Sequence, residues 1–96
     1  LLFLLTASFT LFAQTVPTDD ESIKSGEQLF KTNCYTCHRV KQKWTGPALA
    51  GYETRVPSIA WTIEWVKNSA KVIASGDEYA NKIFKEYNNS QMTAFT

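Results

Sequence analysis

The sequence predicts an all-α domain of short helices joined by long loops. In each helical segment apolar residues recur every three to four positions, the period of a helix with one buried face. Gly and Pro residues separate these segments, as expected for loops. No segment shows the sustained apolar–polar alternation that is typical of a β-strand.

Length and charge narrow the classes of protein to consider. The chain has 96 residues, which is enough for one domain at most. Ten Lys and Arg residues stand against nine Asp and Glu residues, and this near balance argues against a nucleic-acid-binding protein. A domain of about 80 residues buries only a marginal core, so we expect a disulfide, a metal or another covalent staple.

The first residues have the character of an export signal. Residues 1–13 are almost wholly apolar, carry no charge, and are too few to span a bilayer as a relaxed helix. We therefore expect residues 1–14 to be a signal peptide truncated at its start, and residues 15–96 to form the domain. An uncleaved membrane anchor is the alternative, because no basic residues precede the apolar run.

The first helix is expected to begin after Thr18 and to run to about Asn33. Thr18 can cap the helix while Glu21 reaches back to its backbone, as in a capping box. Gly26 in the helix interior costs about 1 kcal/mol relative to alanine, which a close crossing with another helix would explain. One face carries Ile23, Gly26, Leu29 and Phe30.

Two more helices are predicted after a long loop at 34–57. A second helix is expected over 58–70, starting at Ser58. A second capping box at 75–78 predicts a third helix, which residues 88–90 end. Its apolar face comprises Tyr79, Ile83, Phe84 and Tyr87.

The run Cys34-Tyr35-Thr36-Cys37-His38 is the attachment signature of c-type haem. Two thiols at this spacing can each add to one vinyl group of a porphyrin, and the adjacent imidazole can then bind the iron. A haem c bonded through Cys34 and Cys37 would supply the covalent stabilisation that a domain of this size needs.

Three other interpretations of the two cysteines are weaker. A thioredoxin-like redox pair would need a βαβ context, which the sequence lacks. A zinc site would need four ligands, and only Cys34, Cys37 and His38 are evident. A disulfide between these cysteines would close a very small loop and stabilise the fold little.

The second axial ligand follows by elimination. Electron-transfer haem usually has Met or His opposite the proximal histidine. The chain contains one His, already assigned as the proximal ligand, and one Met, Met92. A lone Met is commonly a core filler, but Met92 lies just after a predicted helix among small and polar residues, which favours the ligand role.

Together these features resemble a class I cytochrome c of bacterial type. The resemblance rests on the helix with Gly26 and Phe30, the haem motif, the run Gly46-Pro47-Ala48-Leu49-x-Gly51, and Met92. It implies a cytochrome c fold, in which short helices and loops wrap around one covalent haem.

The same resemblance implies roles for three further residues. Pro47 would present its carbonyl to the second nitrogen of the His38 imidazole, an acceptor that a metal-bound histidine needs. Tyr52 and Trp61 would donate hydrogen bonds to a haem propionate. For these two aromatic residues a core position with a locally satisfied polar tip is the open alternative.

Two departures from the family pattern concern the C-terminal part. Thr93 stands where the family commonly has Pro after the axial Met, which should loosen the Met92 loop. The family closes with a helix that packs across the first helix at the position of Gly26. We expect the chain to be cut before this last helix, with the apolar face of the first helix partly uncovered.

The sequence thus predicts a one-electron carrier of the periplasm and not an enzyme. It would be a soluble shuttle or a domain of a respiratory complex, and the helical segment at 58–87 resembles monohaem domains of quinol-oxidising or terminal-oxidase systems. Expected partners are redox proteins of a respiratory chain. Arg39, Lys41 and Lys43 could form part of a docking rim for them, and a solvated run of surface charges is the favoured alternative for these three residues. Membrane association through a partner complex or an anchor stays open.

The main alternative is a haem enzyme or gas sensor. It requires that Met92 does not bind iron, so that one axial position is open to peroxide, NO or CO. A disulfide-linked interaction module without a cofactor is a third alternative.

Overall fold

The computed structural model describes residues 16–95, and this part of the chain is helical without strands. The all-α class is therefore confirmed, while the predicted signal peptide at 1–14 lies outside the described residues. Within residues 16–95 no helix is both long and apolar enough to cross a bilayer. The described elements are α1 (Asp20–Asn33), a 3-10 turn (Tyr52–Thr54), α2 (Ile59–Lys67), α3 (Ser69–Ala74) and α4 (Glu78–Glu86).

Helix α1 begins one residue later than a Thr18 cap would require. The N-cap is Asp19, whose carboxylate accepts a 3.0 Å hydrogen bond from the backbone N–H of Ser22. Hydrogen bonds from Ser22 hold the pKa of Asp19 below its ordinary value. A carboxylate at this position also interacts favourably with the helix dipole, which favours Asp19 over Thr18 as the cap. The predicted helix is therefore correct, and the predicted capping residue is wrong.

The apolar face of α1 is open within the described part of the chain. Ile23 is 55% exposed and Leu29 is 60% exposed. A Cβ built at Gly26 would meet nothing within 4 Å. The helix crossing expected at Gly26 is therefore not formed by any of residues 16–95.

The single helix predicted over 58–70 is divided in two at Asn68. Ser58 caps α2 as predicted, accepting from the N–H of Trp61 at 3.0 Å. Asn68, however, has φ −160° and ψ 88°, and its side chain accepts from the N–H of Lys71 at 3.2 Å to start α3. Its amide oxygen competes with the backbone, which is why Asn favours caps over helix interiors.

Helix α3 packs against both α2 and α4. The side chain of Asn81 in α4 donates to the carbonyl of Ile73 in α3 at 3.1 Å. Trp61 of α2 meets Tyr79 of α4 edge to face, with ring centroids 5.1 Å apart. At this junction Ala80 is fully buried, so these helices form one packed unit.

Helix α4 ends where the sequence predicted, at a pair of asparagines. Asn88 and Asn89 have φ of 59° and 56°, the left-handed region that Asn tolerates better than most residues. Segment 90–95 then runs without regular structure, and the N–H of Phe95 donates to the carbonyl of Lys67 at 2.7 Å. The segment that carries Met92 is thereby fastened to the end of α2.

Candidate haem site

The two cysteines lie on a tight turn that continues from the end of α1. The N–H of Cys34 donates to the carbonyl of Phe30 at 2.8 Å, the last turn of the helix. The N–H groups of Cys37 and His38 both donate to the carbonyl of Cys34, at 3.1 and 2.9 Å. The two thiols and the imidazole therefore stand on one hydrogen-bonded turn.

Both thiols are free, but their surroundings differ. Cys34 is half-buried and Cys37 is exposed. Burial raises the pKa of the Cys34 thiol, because the thiolate loses solvation. No partner in the described part of the chain competes with a haem for either sulfur.

His38 is buried, and its ring is held by the loop that follows. The side chain is 9% exposed, and Nδ1 lies 3.3 Å from the carbonyl oxygen of Pro47. When Nδ1 carries the proton and donates it to this carbonyl, Nε2 has a free lone pair for a metal. The role of Pro47 as acceptor for a haem-bound His38 stays a prediction.

Gly46 lies directly against the imidazole. A Cβ at this position would lie 2.8 Å from Nδ1 and 3.1 Å from Nε2 of His38. Gly46 is not among the glycines with positive φ, so its requirement is steric and does not come from the backbone conformation. In the sequence, Gly46 stood out only as part of the run 46–51 that carries the family resemblance.

Arg55 braces the loop that supplies the carbonyl acceptor, a role that sequence reasoning missed. Its guanidinium donates to the carbonyls of Ala48 and Ala50 at 2.6 and 3.2 Å. Backbone hydrogen bonds of 3.1 and 2.7 Å also join segment 39–40 to segment 49–50. A basic residue a few positions after the loop is a common pattern, so the sequence offered no specific signal.

Met92 is half-buried within the irregular segment 90–95. The segment is held on its N-terminal side by the N–H of Asn89, which donates to the carbonyl of Phe84 at 2.8 Å, and on its C-terminal side by Phe95. A thioether on such a fastened loop can be presented to a metal without the entropy cost of ordering a free tail. The assignment of Met92 as distal ligand stays a prediction.

The two aromatic candidates for propionate contacts differ in their surroundings. The indole Nε1 of Trp61 is buried and has no hydrogen-bond partner among the described residues. A buried donor without an acceptor is costly, so a haem carboxylate would supply what this group lacks. Tyr52 is half-buried in the 3-10 turn, and its propionate contact, like that of Trp61, stays a prediction.

The family model described as Cytochrome c matches residues 23–95. The chain belongs to the cytochrome c family. No curated protein matches the chain, and no solved structure does either. Members of this family bind haem c covalently and are typically electron-transfer proteins, so the chain is a haem c protein.

The residues of this cytochrome fit a covalent haem better than a metal ion alone. These residues combine two free thiols, an imidazole whose Nδ1 faces the Pro47 carbonyl, and the indole N–H of Trp61, which has no acceptor among the described residues. Among residues 16–95 no cluster of three or more His, Cys, Asp or Glu side chains could hold a bare metal.

Proposed function

We propose that this cytochrome is a one-electron carrier with haem bonded to Cys34 and Cys37, and with His38 and Met92 as axial ligands. The observation that carries the proposal is the buried His38 imidazole, held 3.3 Å from the Pro47 carbonyl. This contact leaves one ring nitrogen available for iron. With both axial positions filled no site is open to substrate, so the protein would not be an enzyme.

The chain contributes orientation and electronic tuning. Haem c supplies the one-electron couple when bound. The Pro47 carbonyl fixes the ring of His38 and makes it a better electron donor, while a soft Met92 thioether favours the ferrous state over the ferric state.

The charge around the haem motif supports docking to a redox protein with an acidic surface. No Asp or Glu stands between Glu27 and Glu53, whereas Arg39, Lys41 and Lys43 all follow the motif directly. We infer a periplasmic location and a respiratory-chain partner, with the cytochrome acting as a shuttle or as a domain of a complex. The rate of electron transfer to an acidic partner would then fall steeply as salt is added, and a flat dependence would reject docking through these charges.

The ligand assignment is tested by absorption spectra of the holoprotein. A sharp reduced α-band, a weak near-red sulfur-to-iron band in the oxidised form, and no response to CO are expected. Met92→Ala should abolish the near-red band and allow CO to bind, whereas Thr93→Ala on the same segment should leave both unchanged.

The competing function is a haem enzyme or gas sensor with an open axial position. A high-spin spectrum of the unmutated protein that shifts with CO would favour it and overturn the electron-carrier proposal. A low-spin spectrum that is identical in Met92→Ala would instead place a different residue at the distal position.

A further inference from the structure

Arg39 follows the proximal histidine directly and contacts three parts of the site. Its Nη1 donates to the carbonyl of Tyr35 and, at 3.1 Å, to the carbonyl of His38. Its guanidinium carbon lies 3.8 Å from the ring centroid of Tyr35 and 5.1 Å from that of Trp44. The guanidinium of the half-buried Arg39 therefore lies over two aromatic rings.

These contacts connect the haem-attachment turn to the loop on the other side of His38. Tyr35 stands between the two cysteines in the sequence. On the other side of His38, the N–H of Trp44 donates to the carbonyl of Gly46 at 3.0 Å. Gly46 in turn lies against the imidazole, and its own N–H donates to the carbonyl of Cys37 at 2.9 Å. A displacement of the guanidinium would therefore loosen both the haem-attachment turn and the loop at Gly46, the two segments that flank the His38 ring.

The contact set needs a guanidinium and not merely a positive charge. Arginine is planar, stacks on aromatic faces, and offers several donors in a fixed fork. A lysine ammonium at the same position is a compact, strongly hydrated charge that cannot stack and fork at once. Lys41 is exposed on the same segment and offers a matched charge for comparison.

We propose that Arg39 is a positioning residue that fixes the ring orientation of His38, and through it the properties of the bound haem. The inference rests on the proposed function, because it takes His38 as the proximal ligand. Arg39 acts here through Tyr35, Trp44 and the His38 carbonyl.

The test compares the holoproteins of Arg39→Gln, Arg39→Lys and Lys41→Gln with the unmutated protein. The readouts are the reduction potential and the paramagnetically shifted NMR signals of the His38 ring and haem methyls in the ferric state, which report the orientation of the axial imidazole. Both Arg39 variants should shift these NMR signals, while Lys41→Gln should leave them in place. The unfolding equilibrium constant of Arg39→Gln should rise about tenfold as the ring contacts and hydrogen bonds are lost.

Two results would overturn the proposal. Recovery of the unmutated NMR shifts and potential in Arg39→Lys would mean that Arg39 acts by charge alone. NMR shifts in Arg39→Gln that are identical to those of the unmutated protein would mean that the ring is fixed without it.

A second variant keeps the test decisive if Arg39→Gln does not incorporate haem. Trp44→Leu removes one of the two rings and should move the same NMR signals in the same direction as the Arg39 variants. Unchanged signals in Trp44→Leu would count against the proposal. Failure of the proposed function is distinguishable, because it would appear as a high-spin spectrum in the unmutated protein.

Discussion

Replacing Gly46 with alanine would place a methyl group against the His38 imidazole. The new Cβ would lie 2.8 Å from Nδ1 and 3.1 Å from Nε2, closer than side-chain Cβ atoms ordinarily approach. The loop cannot easily retreat, since the N–H of Gly46 is bonded to the carbonyl of Cys37 at 2.9 Å. The ring of His38 must therefore move.

Two terms set the size of the effect. Insertion of one methyl group into a packed site costs about 1–3 kcal/mol. A displaced ring also weakens the 3.3 Å contact with the Pro47 carbonyl, and a hydrogen bond of this kind contributes about 0.5–1.5 kcal/mol. A combined cost of about 3 kcal/mol would raise the unfolding equilibrium constant roughly a hundredfold.

Denaturant unfolding of the ferric holoprotein, followed by the haem Soret band, measures this change. The near-red band should shift or weaken in the same variant, because the proximal ligand is disturbed. Gly26→Ala is the matched control in this chain, since its Cβ would meet nothing within 4 Å. That control should be neutral or more stable by about 0.5–1 kcal/mol, as expected for Gly to Ala in a helix interior.

An unchanged midpoint and near-red band in Gly46→Ala would refute the reasoning, because the imidazole would then not lie against this residue. A loss of stability equal in Gly46→Ala and Gly26→Ala would also refute it. In that case a general cost of replacing glycine would explain both results.

Three other expectations address the helices and the haem pocket. Trp61→Phe should lower the stability of the holoprotein by about 1–3 kcal/mol more than Trp65→Phe, because of these two residues only Trp61 has a buried Nε1 that lacks an acceptor within residues 16–95 and could donate to a propionate. Equal losses in thermal melts would contradict this. Asn68→Ala should cost about 1 kcal/mol through the lost α3 cap, and Asn68→Asp should retain most of the stability; chemical denaturation would contradict the cap if both variants lose the same amount. The pKa of Asp19 is lowered in the folded state, so its carboxylate stabilises α1 fully above about pH 4, the ordinary pKa of Asp, and this stabilisation is lost as the pH falls through the folded-state pKa. Acid titration followed by far-UV circular dichroism should therefore show a smaller loss of helix in Asp19→Asn than in the unmutated protein. Identical titrations of the two proteins would exclude the effect.

Much of the helical framework was predictable because its signals are local. Apolar spacing located α1 and α4, and the asparagine pair marked the end of α4. Both predicted capping boxes chose a cap too early in the chain, since the N-caps are Asp19 and Asp77, while Ser75 is the C-cap of α3. The division between α2 and α3 was missed because the apolar spacing continues across it. The signal that could have shown it was Asn68 itself, whose side chain bonds only three residues ahead.

The candidate site residues likewise divide into those that a local sequence signal marks and those that only the folded structure explains. Spacing alone marked the haem motif, because the thiols and the imidazole must lie within one turn to meet a single porphyrin. Trp61 was named from resemblance, and only the folded structure shows that its indole N–H is buried with no acceptor among the described residues.

The sequence by itself determined the cofactor, since covalent attachment needs only a short run of residues at fixed spacing. Beyond the Pro47 carbonyl that the resemblance had named, only the tertiary structure showed what surrounds His38: the backbone of Gly46 against its ring, and the guanidinium groups of Arg39 and Arg55 on the adjoining turn and loop. The physical reason is that these contacts depend on how the long loop folds back on the turn at the end of α1. Loop closure brings together groups whose spacing in the chain carries no periodic signal.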